Sequence, residues 1–258
     1  MSTRTGAAIL GSLLLLPAAA TIAKAETFIE QAAEHRFQLD FRVNDAALAK
    51  LLPAGWDTVI AENGPAKDCN LRMIFIDRMA IIGADGKPLG QGSTQMVYLA
   101  APVKQTSGAM TGQMIIAGLT KDAADAPGPF GVYRRAGTAK MARSITVSGG
   151  APLVDEAWDF SAADGEHMQV HVKYERAAAT KGGGEVKFFN PADPSKYQIF
   201  KTEQGIDITR NATTNPPDRV KEFTYKAGGG RIAALFDGSE KVLSWDSFPW
   251  YTRIVLAP

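Results

Sequence analysis

The hydrophobic pattern of this chain is dominated by alternation. Phe37, Leu39 and Phe41 are interleaved with Gln38, Asp40 and Arg42, the two-residue period of a half-buried strand. Asn44-Asp45 can cap a short helix from Asp45 to Leu52, with Ala46, Leu48, Leu51 and Leu52 on one face and Pro53-Ala-Gly55 ending it. Asn70 to Ile82 is too apolar for a surface helix and predicts a long central strand, closed by an Asp85-Gly86 turn. Thr94 to Val103 and Gly112 to Leu119 predict two further strands around a turn at Thr106-Ser-Gly108.

From Lys121 to Gly131 the composition shifts to Ala, Asp, Pro and Gly, which predicts a loop over one face, followed by a short helix or irregular segment from Tyr133 to Met141. Strands are expected at 142–147, 157–160, 168–176, 185–189, 231–236, 242–245 and 251–256, with the glycine triplets 182–184 and 228–230 as turns. No repeat or break in composition divides the chain. The fold class expected is therefore α+β, predominantly β: one antiparallel sheet system closed into a barrel or sandwich, with a few short helices.

The first residues stand apart. Arg4, the apolar run Ala7 to Ala23 and the Ala23-Lys24-Ala25 triplet have the order of a secretory signal peptide cleaved before Glu26. The run is short for a bilayer span and is broken by Pro17, so no stable membrane anchor is expected after cleavage. Residues 1–25 are thus read as a signal and residues 26–258 as one domain, periplasmic or secreted. Cleavage removes Arg4 and Lys24 and no acid, which moves the formal charge from +1 to −1 and leaves no electrostatic case for nucleic acid. With 45% hydrophobic residues there is material for one core, and it must hold by packing, because the single cysteine, Cys69, permits no internal disulfide. Asp68 precedes it and no cation adjoins it, so a buried or idle thiol is expected. The Asn211-Ala-Thr213 sequon carries no weight in a bacterial host.

Across seventeen residues the segment FQLDFRVNDAALAKLLP, Phe37 to Pro53, resembles the opening of the acetoacetate decarboxylase-like superfamily: an aromatic-led strand ending in arginine, then a short helix that stops at a proline. Ala101-Pro102-Val103 is similar to the family's hydrophobic-Pro-Val step, and Met168 to Glu175 to the strand that follows its reactive lysine. The resemblance implies a β-barrel whose interior holds the active site. In decarboxylating members a lysine within a Tyr-Pro-Lys-Lys segment forms a Schiff base with a β-keto acid, its pKa depressed by a neighbouring cation and a desolvating pocket, since only the neutral amine attacks a carbonyl.

This sequence departs from that pattern. The corresponding segment reads Val132-Tyr133-Arg134-Arg135, and arginine cannot serve as an amine nucleophile. A shifted register places Lys140 in the reactive role, with Arg134, Arg135 and Arg143 as the cations beside it. The family's glutamate before the Pro-Val step is replaced by Gln95 and Met96. The site implied by the resemblance has Lys140 and Arg135 as catalytic groups and Arg134 and Arg143 as substrate-binding ones. Arg72 and Arg78 join the substrate-binding set if they face a barrel interior, where they would suit a carboxylate as bidentate donors; facing outward, they are ordinary surface charges.

Other chemistry is sparse. His167 and His171 lie about 13 Å apart along extended chain, too far to share one metal ion. His35 is expected to be exposed, and either His167 or His171 could serve as a general base near a pocket. The aromatic cluster Trp245, Phe248, Trp250 and Tyr251 would plug a barrel end or wall an aromatic-ligand site. There is no Walker loop, dinucleotide fingerprint, nucleophile elbow or metal-spaced cysteine set, and no cofactor is expected. Two functions remain: an exported lyase breaking or making a C–C or C–O bond in a small carbonyl, carboxylate or aromatic compound, or a non-catalytic periplasmic barrel that carries a small ligand. Assembly into a homo-oligomer is left open. The catalytic version requires cationic side chains from positions 134 to 143 to project into an enclosed cavity.

Overall fold

The computed structural model describes residues 26–122, 131–211 and 219–258. The expected signal segment, most of the Ala/Asp/Pro/Gly loop and most of the sequon lie outside them. Thirteen strands are described: β1 (Thr27–Arg42), β2 (Trp56–Thr58), β3 (Leu71–Gly83), β4 (Thr94–Gln105), β5 (Thr111–Thr120), β6 (Tyr133–Arg135), β7 (Thr138–Thr146), β8 (Leu153–Ser161), β9 (His167–Glu175), β10 (Thr180–Phe189), β11 (Tyr197–Asn211), β12 (Val220–Gly228) and β13 (Lys241–Ala257). One short helix, α1 (Asp45–Ala49), is capped by Asn44, whose side-chain oxygen accepts from the backbone N–H groups of Ala46 and Ala47.

Seven strands form a ring in the order β4-β3-β1-β13-β11-β10-β5, closed by the pairing of β5 with β4. The neighbours are antiparallel except at the β10–β5 seam, where Phe188 and Phe189 run parallel to Gln113 and Met114. Gly112 is required at that seam, because a Cβ there would stand 2.3 Å from the Lys187 carbonyl oxygen. β2 extends the sheet beside the end of β4, and β6 runs parallel to the end of β5. The strands β12-β9-β8-β7 make a second, separate sheet.

Alternation separates two cores. The odd-numbered residues Phe37, Leu39, Phe41, Met73, Phe75, Val97 and Leu99 join Val154, Trp158, Phe160, Met168, Val170 and Val172 of the second sheet in the larger cluster. The even-numbered residues Ile74, Ile76, Met96, Tyr98 and Ala100 belong to a smaller cluster with Ile115, Phe188, Phe200 and Val255, inside the ring. β1, β3 and β4 are therefore covered on both faces. The alternation of β1 was expected to put its polar side in water. That side carries Arg36, Gln38 and Asp40, and all three line an internal cavity.

Several segments differ from expectation. Tyr133 to Met141 is extended, divided between β6 and β7, rather than helical. Arg231 to Phe236 is a 3-10 turn over Gly230–Leu235 rather than a strand: Gly229 and Gly230, at φ 72° and 51°, turn the chain sharply. The 182–184 glycines lie inside β10 instead of making a turn. β11 and β12 lie outside the strands expected from the sequence.

Candidate functional site

The cavity inside the ring has a volume of about 430 Å³ and is lined by polar side chains from all seven ring strands. Arg36, Gln38 and Asp40 come from β1, Arg72 from β3, Tyr98 from β4, Gln113 from β5, Glu185 from β10, Thr202 and Gln204 from β11, and Asp246 and Tyr251 from β13. Val186 and Phe188 of β10 add apolar wall, as do Ile74, Ile206, Ile208 and Phe248.

Beneath it lies a buried ionic cluster. Arg36 donates from Nε to Glu34 Oε2 at 2.6 Å, and its guanidinium carbon sits 3.5 Å from the centroid of the Tyr251 ring. Arg253 Nη2 lies 2.5 Å from Glu34 Oε1, and its guanidinium also covers the Phe200 ring at 4.7 Å. Arg78 pairs with Glu30 and approaches Glu34 at 3.5 Å. Burial pushes the Glu34 carboxyl up, but Arg253, Arg36 and Arg78 together outweigh it and hold the group below the ordinary carboxylate range. The cluster is ionised, and it presents Arg36 to the cavity.

The same lining carries a carboxyl pair of the opposite kind. Asp40 accepts from Ser244 Oγ at 2.7 Å and Gln38 Nε2 at 3.0 Å, with Arg72 Nε 3.5 Å away. Burial raises its pKa despite Arg72 and these hydrogen bonds. Asp246 is pushed up to about 8, first by burial and then by the charge of Asp40, with Arg72 opposing. Asp246 thus presents to the cavity a carboxyl biased towards its protonated form. Among the lining atoms without a hydrogen-bond partner among the described residues are Tyr98 Oη, Gln113 Oε1 and Asp246 Oδ1. Buried polar atoms are seldom left unpaired, so these three mark where a ligand's polar groups would be satisfied.

The residues singled out in the sequence divide by location. Arg72 lines the cavity, and Arg78 is fully buried in the ionic cluster below it. Arg134, Arg135, Lys140 and Arg143 do not line it. Arg134 bonds Asp164 at 2.6 Å and lies 2.7 Å from Glu166; Arg135 is exposed. Lys140 is exposed on β7 of the second sheet, beside a shallow hollow with Gln95 and Asp159. Arg143 lies 3.2 Å from Glu156 Oε2. The physical reason is topological: only 133–135 pair with the ring, at the far end of β5, and 138–146 then cross into the second sheet. No lysine lines the cavity among the described residues.

Other groups fall into structural roles. His35 is buried rather than exposed: its Nε2 lies 2.9 Å from Glu156 Oε1, which also accepts from Trp158 Nε1 at 2.7 Å. His171 pairs with Asp155 on the outer face of the second sheet, and His167 contacts the Gly165 carbonyl. Cys69 is fully buried, its thiol pushed up to about 12 chiefly by burial, and is idle as a nucleophile. The aromatic cluster splits: Trp245 packs between the sheets, Phe248 and Tyr251 line the cavity, and Trp250 is exposed. Among the described residues no group of three His, Cys, Asp or Glu is placed to hold a metal ion. Arg36, Tyr98, Gln113 and Asp246 escaped the sequence reading, although their strands were expected.

The closed ring, the second sheet and the cavity define the chain as having the acetoacetate decarboxylase-like fold. No protein-family model matches the sequence, and a search of curated proteins returned no match. Among solved structures, the enduracididine biosynthesis enzyme MppR complexed with pyruvate is similar at 14% identity, over 97% of this chain and 96% of that one, with a TM-score of 0.55. MppR complexed with the condensation product of pyruvate and imidazole 4-carboxaldehyde matches at 13% identity over 97% and 95%, also at 0.55. An acetoacetate decarboxylase-like enzyme from Sphingomonas wittichii RW1 matches at 13% over 95% and 96%, with a TM-score of 0.52.

Proposed function

We propose that this protein is an exported lyase that breaks a C–C bond in a small 3-oxo acid bound inside the ring. The observation that carries this reading is Asp246: a carboxyl biased towards its protonated form, in the same cavity as two guanidiniums and with one oxygen unpartnered. Arg36 and Arg72 bind the substrate carboxylate. Tyr98 and Asp246 face its carbonyl oxygen. As the bond to the carboxylate breaks, its electron pair moves through carbon to that oxygen, which takes the Asp246 proton; carbon dioxide and an enol leave the transition state. The enol returns its O–H proton to Asp246 as carbon takes one from water. A proton donor with a pKa close to ambient pH suits this step. The route needs no amine, in keeping with a lining without lysine. A neighbour of the same fold is complexed with pyruvate, which supports a small carboxylate bearing a carbonyl as the class of ligand.

Export rests on the Arg4 to Ala25 pattern, and N-terminal sequencing of protein recovered from the periplasm or medium should begin at Glu26. The function is tested by incubating the protein with a panel of 3-oxo acids, followed by NMR. Turnover of at least one is expected, with Asp246→Asn reducing kcat about a hundredfold or more. The lysine-free lining also favours a second reading, a carrier of small acids. Tight binding of a panel member with no turnover would establish the carrier and sink the lyase.

A further inference from the structure

The triplet Gly182-Gly183-Gly184 on β10 runs past the cavity, and its three members are glycine for different reasons. At Gly182 a Cβ would meet Ile206 Cδ1 at 2.7 Å, so the space is taken by that side chain. Gly183 has φ +148°, and a Cβ there would stand 2.3 Å from the Thr202 carbonyl oxygen, so the backbone forbids any other residue. Gly184 is under neither constraint: its φ is ordinary, and a Cβ would meet nothing within 4 Å. The fold does not need a glycine at 184. Yet the residue lines the cavity, shares an alternation with Val186 and Phe188, and stands opposite Thr202 on β11.

The cavity wall around this open space is mixed: Glu185, Thr202 and Gln204 are polar, while Ile206 and Ile208 of β11 supply hydrocarbon, together with Pro65 and Ala66 from the loop before β3. Phe248 lines the cavity too, opposite Arg36 across β1 and β13. Ile208 is 38% exposed, so hydrocarbon continues along the wall to solvent. A short acid such as pyruvate, held at Arg36, would leave this stretch of wall wet. We infer that Gly184 sets the length of the ligand: the cavity takes an amphipathic acid whose carboxylate sits at Arg36 and whose hydrocarbon chain passes through the gap left by the missing side chain, against Ile206 and Ile208. This inference rests on the carboxylate-binding reading of the cavity and narrows it to acids with an extended apolar tail.

The test uses saturated straight-chain carboxylates, from acetate to decanoate, as non-reacting probes, with affinity read by isothermal titration calorimetry on the full mature chain. Wild type should bind more tightly as the chain lengthens, by about fourfold for each methylene buried, until the tail emerges. Gly184→Phe should abolish most of that gain for octanoate while leaving butyrate within about twofold, and Gly184→Ala should fall between. Thermal melting of each variant reports that the fold is kept, and Ala at an extended position of ordinary φ is expected to preserve it. If Gly184→Phe binds octanoate as tightly as wild type does, or wild type shows no dependence on chain length, the length inference fails and the carboxylate site stands. If wild type binds none of the acids, the carboxylate site fails and takes the inference with it.

Discussion

Arg36 is clamped between Glu34, which accepts from its Nε at 2.6 Å, and the ring of Tyr251, whose centroid lies 3.5 Å from its guanidinium carbon. Only a planar, delocalised cation can satisfy both contacts at once, so the side chain is fixed before any ligand arrives. Arg36→Lys keeps the charge but loses the fork and the stacking. It should weaken binding of a small carboxylate about tenfold to a hundredfold, the span of a hydrogen bond to a charged group, with little change in the affinity of an uncharged analogue. Calorimetric titration of wild type and variant measures this, and equal losses for both ligands would remove Arg36 from anion recognition.

Asp246 makes stability depend on pH in a calculable direction. Its folded pKa of about 8 exceeds the ordinary value of 3.8, so between those limits the folded chain holds a proton that the unfolded chain has released. Stability therefore falls as pH rises through this window and levels off above about 8. Asp246→Asn removes the cost of ionising a buried acid and also relieves Asp40. The variant should match wild type near pH 4 and exceed it by a margin that grows as pH rises towards 8, read as a widening difference in Tm. Melting curves across the range decide the matter; a constant difference would mean that the carboxyl titrates normally.

Glu34 serves Arg36 and Arg253, with Arg78 close by. Replacing it with Gln leaves buried guanidiniums without their shared counter-charge, and about 3–5 kcal/mol of stability should be lost. Urea unfolding reads the change as a lower midpoint with an unchanged slope. A cost below about 1 kcal/mol would show that the cluster is wet rather than buried.

Lys140 stands on the second sheet and outside the cavity. Treatment with borohydride in the presence of pyruvate or acetoacetate should leave Lys140 unmodified by mass spectrometry, because its amine is exposed on the second sheet, beside an open hollow and away from the ring cavity that holds Arg36 and Arg72. A stable adduct there, formed at the rate of turnover, would restore the amine route and displace Asp246 from the chemistry.

Much of the fold was legible because alternation is a local signal. β1, β3, β4 and β5 fall where apolar residues predict them, and the opening resemblance pointed to the architecture observed. β11 stayed hidden because register shifts between Gly205 and Asp207, and between Ile208 and Arg210, break its period. The site was far less legible. A polar residue at every second position reads the same whether it faces bulk water or an enclosed cavity, and only the closure of β4 on β5 distinguishes the two. Arg36 and Asp246 meet through neighbouring strands drawn from opposite ends of the sequence, a proximity that no local spacing encodes. The cations at 134–143 attracted attention by being adjacent in the chain, and the crossing into the second sheet carries them away.

The pairing of β1 with β13 also fixes an order of events. The first strand of the ring has no neighbour on one side until β13 has been made, so the wall cannot close before that strand emerges. Until then β1 presents a long bare edge to other chains, and contacts of such wide sequence separation form slowly. Shortening the C-terminal strand should accordingly harm the yield of soluble protein far more than its small share of the chain suggests, by leaving that edge permanently open.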